Sequence, residues 1–199
     1  MISPEGVSCD VPSPLPEIPA PPEGSAALSP LADAHRSRIV WAEGTPGAPL
    51  AIVLDNPGAR EAVDGTPMVC GTRTTLRQTT HAAGLRDEDL YVTWVLKWRP
   101  RRAYDRAGAH AACLPWLEAE LLAARPRVLL CLGDVATRAL LADPSVSVKA
   151  LRQSPRTWHG IPLVVGYHPL AVRRRPVLAP TLMEDVRRAA RIAREGPTR

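Results

Sequence analysis

Residues 163–176 read LVVGYHPLAVRRRP. An apolar run, Leu163–Gly166, leads within two residues into a histidine, a proline and three consecutive arginines. Residues 50–58, LAIVLDNPG, repeat the plan: the apolar run Leu50–Leu54 is followed by the acid Asp55, the amide Asn56 and a Pro57–Gly58 turn. Two more apolar runs, Leu90–Leu96 and Val128–Leu132, complete a set of four. The runs are near-continuously apolar rather than alternating, as strands covered on both faces must be. Helical periodicity fills the intervals at Thr74–Ala83, Gly108–Ala124, Val135–Leu141 and Leu182–Arg194. Strands alternating with helices imply parallel pairing through crossover helices. The expected fold is a three-layer α/β/α sandwich around a four-stranded parallel sheet.

In open sheets of this kind, sites form on the loops that follow the strands. Asp55 and Asn56 occupy one such loop, and His168 with Arg173, Arg174 and Arg175 occupies another. A histidine beside a basic loop, facing an acid and an amide, suits a negatively charged polymer. Asp and Asn also cap strand-end turns without further function, and that reading stays open for Asp55 and Asn56.

The chain has 199 residues, a net charge of +5 and a pI of about 9.4. This basic excess permits nucleic-acid binding without requiring it. Arginines cluster at Arg99, Arg101, Arg102 and Arg106, and again at 173–175. No apolar stretch approaches the ~20 residues of a membrane span. Met1–Asp10 has neither a basic start nor a long apolar run, which predicts no secretion signal and a cytoplasmic location. There Cys9, Cys70, Cys113 and Cys131 are expected to stay reduced. Residues 1–30 carry Pro12, Pro14, Pro16, Pro19, Pro21 and Pro22, a spacing that forbids a helix. They are expected to form an extended or disordered arm, with residues 31–199 as one domain acting as a monomer.

Five ordered motifs between Leu31 and Ala193 resemble the uracil-DNA glycosylase superfamily, in particular its iron–sulfur family-four branch. They are LDNPGAREAVDGTPMVCG from Leu54, YVTWVLKWRPR from Tyr91, CLPWL from Cys113, LGDVA from Leu132 and HPLAVRRRP from His168. The resemblance implies an enzyme that flips a deaminated base, uracil or a relative, out of DNA and hydrolyses its N-glycosidic bond in base-excision repair. It also implies DNA containing a damaged base as the partner. His168 matches the histidine that hydrogen-bonds the departing base. Asp55 matches the family-four glutamate. Asn56 fits the Asn-Pro-Gly pattern of the mismatch-directed branch, whose amide holds the attacking water. An amide orients water but does not deprotonate it, so Asn56 is assigned the water first and Asp55 second. The base pocket is expected from Pro57, Gly58, Met68 and Trp94, with backbone N–H groups of the Pro57–Gly58 turn as donors. On the loop after His168, Val172 and Arg173 match the wedge positions, and Arg174 and Arg175 are expected on DNA phosphates.

The chain departs from that pattern in three places. Trp98 stands where a cluster cysteine is expected, no cysteine pair lies between Leu31 and Trp41, and Cys113 alone keeps a ligand position. An iron–sulfur cluster needs four thiolates, so no cluster is expected. Trp94 replaces the asparagine that reads the uracil edge, and Met68 replaces a stacking phenylalanine. These two changes keep a second reading open: a DNA-binding protein on the same frame that has lost catalysis.

Overall fold

The computed structural model describes residues 22–65, 71–101 and 103–196. Six strands form one sheet: β1 (Glu43–Gly44), β2 (Leu50–Leu54), β3 (Leu90–Trp94), β4 (Val128–Leu132), β5 (Arg156–Trp158) and β6 (Ile161–Gly166). Their spatial order is β1-β3-β2-β4-β6-β5. β3, β2, β4 and β6 run parallel and are the four expected strands. The short edge strands β1 and β5 pair antiparallel and extend the sheet beyond the expected four. Neither shows in the sequence as an apolar run. β1 is two residues long, and β5 exposes Arg156 and Thr157.

The continuous apolar runs have a simple origin. Leu50, Ile52 and Leu54 point to one face of the sheet, while Ala51 and Val53 point to the other. Because both faces are covered, alternate positions are equally apolar. On the first face lie α3 (Gly71–Ala82) and α8 (Ala179–Glu195), whose Leu76, Leu182, Val186 and Ala190 fill the core. On the second lie α4 (Arg106–Ala124), α5 (Asp134–Leu141) and α6 (Val148–Leu151), through Leu117, Leu121, Ala136 and Leu151. Two further short helices are α1 (Ser29–Ala34) and α2 (Ala59–Asp64). Among the described residues no helix is long and apolar enough to cross a membrane.

A third, smaller core gathers Leu28, Ala32, Leu96, Trp98, Ala109 and Cys113, with Trp41, Tyr104 and Trp116 packed around it. Leu28 belongs to a 3-10 turn, Ser25–Leu28, that leads into α1. The folded body therefore begins before Leu31, inside the segment expected to be an arm. Residues 1–21 of that segment lie outside the described residues.

A buried polar network fastens α4 to β3. Lys97 is fully buried, and its ammonium donates to Thr93 Oγ1 at 2.7 Å and to the Glu120 carboxylate. Tyr91 Oη donates to Glu120 Oε1 at 3.0 Å and Thr93 Oγ1 to Glu120 Oε2 at 2.9 Å. The Trp41 ring centroid lies 5.4 Å from Lys97 Nζ. A buried cation is tolerable only while its carboxylate partner stays. Glu120→Gln is expected to lower unfolding free energy by about 3 kcal/mol, read from the shift in the urea unfolding midpoint at unchanged slope.

Candidate active-site cleft

The apolar run of β6 stops at Gly166, and Pro169 starts α7 (Pro169–Arg174). Proline suits the first helical position, where its missing N–H is no loss. His168 is the N-cap, and its Nδ1 accepts the Leu170 N–H at 3.0 Å. The neutral ring must then carry its proton on Nε2, an assignment made from this bonding pattern. Nε2 sits 3.2 Å from Asp55 Oδ1. The same Oδ1 accepts the Asn56 N–H at 2.8 Å, while the Asp55 carbonyl accepts the Leu96 N–H at 2.9 Å. The acid is thus held at both backbone and side chain. Burial pushes the Asp55 carboxyl up, but the His168 hydrogen bond and the Asn56 N–H together leave it below its ordinary value.

β2 and β6 are not neighbours; β4 lies between them. Two strand spacings put them about 10 Å apart, so His168 meets Asp55 only by crossing the end of β4. The residue there is Gly133, at φ +100° and ψ 158°, with its N–H bonded to the Gly166 carbonyl at 2.9 Å. This backbone region is essentially reserved for glycine. A Cβ at Gly133 would lie 3.2 Å from His168 Cβ and 3.6 Å from its Cδ2. The bare Cα is what lets the imidazole pass.

Around this pair opens a cleft of about 440 Å³, within the roughly 300–1,000 Å³ usual for small-ligand sites. Asp55, Asn56, Gly58, Trp94, His168, Arg173 and Arg174 all line it. Trp94 is 1% exposed and belongs to the main core, and it also lines the cleft. Asn56 Nδ2 donates to the Pro57 carbonyl at 2.8 Å, which leaves its Oδ1 as an acceptor.

Several expected residues fall elsewhere. Pro57 is buried and outside the cleft wall. The backbone donors expected at the Pro57–Gly58 turn are not available: proline has no N–H, and the Gly58 N–H is taken by the Glu61 carboxylate. Val172 is 7% exposed and packs into the main core, so it cannot serve as a wedge. Arg175 is exposed beyond the cleft wall, at the end of α7. Met68 lies outside the described residues. The segment after His168 forms a helix where a loop was expected, and this places Val172 in the core. Helical spacing brings Leu170, Arg173 and Arg174 to one face and turns Val172 to the other. Leu170 is 41% exposed on the cleft rim. The helix-start signal His-Pro, read with a 3.6 period, would have found it. Arg99, Thr72 and the buried Glu61 also line the cleft and carried no such signal.

Of the four cysteines, Cys113 and Cys131 are described, and both are free and buried. They belong to different cores. Burial pushes the Cys113 thiol up to about 11, against a smaller opposing effect of Lys97, and the Cys131 thiol up to about 12. Among the described residues no three His, Cys, Asp or Glu side chains group to hold a metal ion.

The mostly parallel sheet, with helices on both faces and a cleft at its strand ends, defines an open α/β protein. The profile of the Uracil DNA glycosylase superfamily matches residues 41–191. The chain is 30% identical over 161 residues to the type-4 uracil-DNA glycosylase of Pyrobaculum aerophilum, covering 76% of this chain and 82% of that protein. It is 30% identical over 166 residues to the type-4 enzyme of Archaeoglobus fulgidus, covering 78% and 83%. A type-5 uracil-DNA glycosylase of Pyrobaculum aerophilum is 33% identical over 104 residues, 51% of this chain and 46% of that protein. The chain belongs to the uracil-DNA glycosylase superfamily, and its relatives named here hydrolyse N-glycosidic bonds.

Gly133→Ala is expected to cost about 1–3 kcal/mol of stability and to push His168 off Asp55. The second effect is read from the ring nitrogen shifts of His168 in imidazole-labelled protein. A destabilised variant with unchanged His168 shifts would sever the link between the two residues.

Proposed function

We propose that this chain is an atypical DNA glycosylase: it flips a deaminated base, uracil or a relative, into the cleft and hydrolyses the bond from base to deoxyribose. The observation that carries this reading is the meeting of His168, Asp55 and Asn56 on one open cleft rimmed by Arg173 and Arg174.

The chemistry needs two opposite charges stabilised at once. As the glycosidic bond lengthens, the base becomes an anion and the sugar a cation. His168 is arranged to give its Nε2–H to the base oxygen, exchanging Asp55 for the substrate. Nδ1 stays tied to the Leu170 N–H throughout, so the ring keeps its orientation. Asp55, relieved of that partner, faces the growing positive charge with a carboxylate. Asn56 Oδ1 accepts a hydrogen bond from water and orients its oxygen toward the sugar carbon, where the new C–O bond forms. The water proton passes to Asp55 or to solvent, and the base departs with the electrons of the broken bond. Arg173 and Arg174 supply charge for the phosphates of the flipped strand. Residues 31–199 act as the catalytic unit in this reading, with Leu28 and α1 packed onto it.

We also read the chain as working without an iron–sulfur cluster. Four thiolates would require every cysteine in the sequence. Cys131 is committed to β4, its Sγ 3.6 Å from Thr137 Oγ1. Cys113 is packed with Trp98 in the small third core. Protein purified without oxygen is expected to carry no iron and no cluster absorbance near the visible blue. Stoichiometric iron would reverse this reading.

Base release from labelled oligonucleotides carrying uracil, hypoxanthine or xanthine is the direct test. Asn56→Ala and His168→Ala are each expected to slow release by at least roughly 100-fold. Arg174→Ala is expected to weaken DNA binding and reduce its salt slope by about one. Release at the wild-type rate in both cleft variants would reject the site, and no release of any base by the intact chain would reject the activity.

A further inference from the structure

A second concavity of about 400 Å³ lies between the β5–β6 hairpin and the last turns of α8. Its floor is aliphatic, from Pro155, Pro162, Leu163 and Ile192, and among the described residues no aromatic ring lines it. Among the described residues, Arg156, Arg188 and Arg191 stand on its wall against a single carboxylate, Glu195. Arg188 is turned inward to the Arg152 carbonyl and lies 3.5 Å from Asp185. Arg156 and Arg191 have no ion-pair partner among the described residues. Of the nearby acids, Glu184 and Asp185 are both engaged by Arg152, at 2.7 and 2.9 Å, and Asp143, bonded to Ser145, meets the Arg156 charge without forming an ion pair.

We propose that this groove docks an acidic peptide segment of a partner protein, with aliphatic side chains on the floor and carboxylates on Arg156 and Arg191. Charge selects an anion, and the floor decides which kind. Single-stranded nucleic acid binds through bases stacked on aromatic rings, and the groove offers none. A duplex presents phosphates and would leave the aliphatic floor unmatched. A peptide alternating acids with leucine- or isoleucine-like residues satisfies both. Guanidinium groups grip carboxylates in bidentate pairs, and the exposed Pro155 with the half-buried Pro162 and Ile192 gives aliphatic side chains a surface to pack on.

Its position keeps it independent of the cleft. Pro162 opens β6 and His168 follows its end, so the two sites are separated by roughly 20 Å of extended chain. A partner held there leaves Asp55 and His168 open, and the proposal stands whether or not the cleft performs base release.

The test uses the intact chain and a fluorescein-labelled twelve-residue peptide of alternating aspartate and leucine, followed by anisotropy. Saturable binding is expected. It should weaken at least roughly tenfold when asparagine replaces aspartate, when serine replaces leucine, and in the Arg156→Glu/Arg191→Glu double variant. The peptide-side changes keep the test valid even if the double variant folds poorly. Lesion-free duplex DNA and Arg174→Ala should leave peptide binding unchanged. Absence of binding, equal binding by the double variant, or displacement of the peptide by the duplex would each overturn the proposal.

Discussion

The hydrogen bond between His168 Nε2 and Asp55 Oδ1 depends on a constraint of the sheet rather than on either residue. The strands that deliver them are separated by β4, and parallel strands cannot approach more closely than their hydrogen-bond spacing. Contact across the gap requires that the middle strand end in backbone alone. Gly133 meets that requirement twice, by its missing side chain and by a backbone conformation that other residues resist. The glycine also bonds Gly166 through its N–H, so the turn that makes room is itself pinned to the strand that brings the histidine. Geometry, and then protonation, follow from this arrangement. With Nδ1 spent on the helix cap, the ring has one proton to offer and one direction in which to offer it.

The rest of the molecule supports the two loops by conventional means. Both sheet faces are covered, so the strands cannot slide without exposing apolar residues. α4 is tied to β3 through Glu120, Lys97 and Thr93, and the chain leaving β3 continues to the small core around Trp98 and Cys113. That core occupies the region around the retained cysteine with tryptophans and aliphatic groups. Packed apolar volume holds α1, α4 and the segment after β3 together there. The Leu96 N–H, anchored to the Asp55 carbonyl, connects this support to the cleft.

Much of the architecture was legible because burial on both faces leaves a distinctive pattern. Leu50–Leu54, Val128–Leu132 and the β3 and β6 runs are near-continuously apolar, with Thr93 the polar interruption in β3, and each forms a central parallel strand. The edge strands were not legible. A two-residue strand and one with exposed arginine and threonine carry little apolar signal, and their pairing is decided by the neighbour rather than by their own residues. At the cleft, Asp55, Asn56, His168, Arg173 and Arg174 were found because polar residues directly after apolar runs are conspicuous. Val172 was not legible as a core residue because the six-residue helix that carries it has no long apolar period, and helical rather than loop geometry turns the side chain from solvent to core. Arg99 and Glu61 escaped because their part in the cleft comes from how distant segments fold together.

The order of apolar runs and the chemistry at their ends were determined by the sequence alone, since local burial patterns and residue types are properties of neighbours along the chain. Tertiary structure alone decided which runs lie side by side, which N–H groups are spent and which face of α7 meets the cleft. The Gly58 N–H, donor-capable in the sequence, is consumed by Glu61, and the imidazole reaches its carboxylate only over the bare end of a strand between them. Such outcomes depend on distances through space between residues far apart in the chain, and no local pattern encodes them.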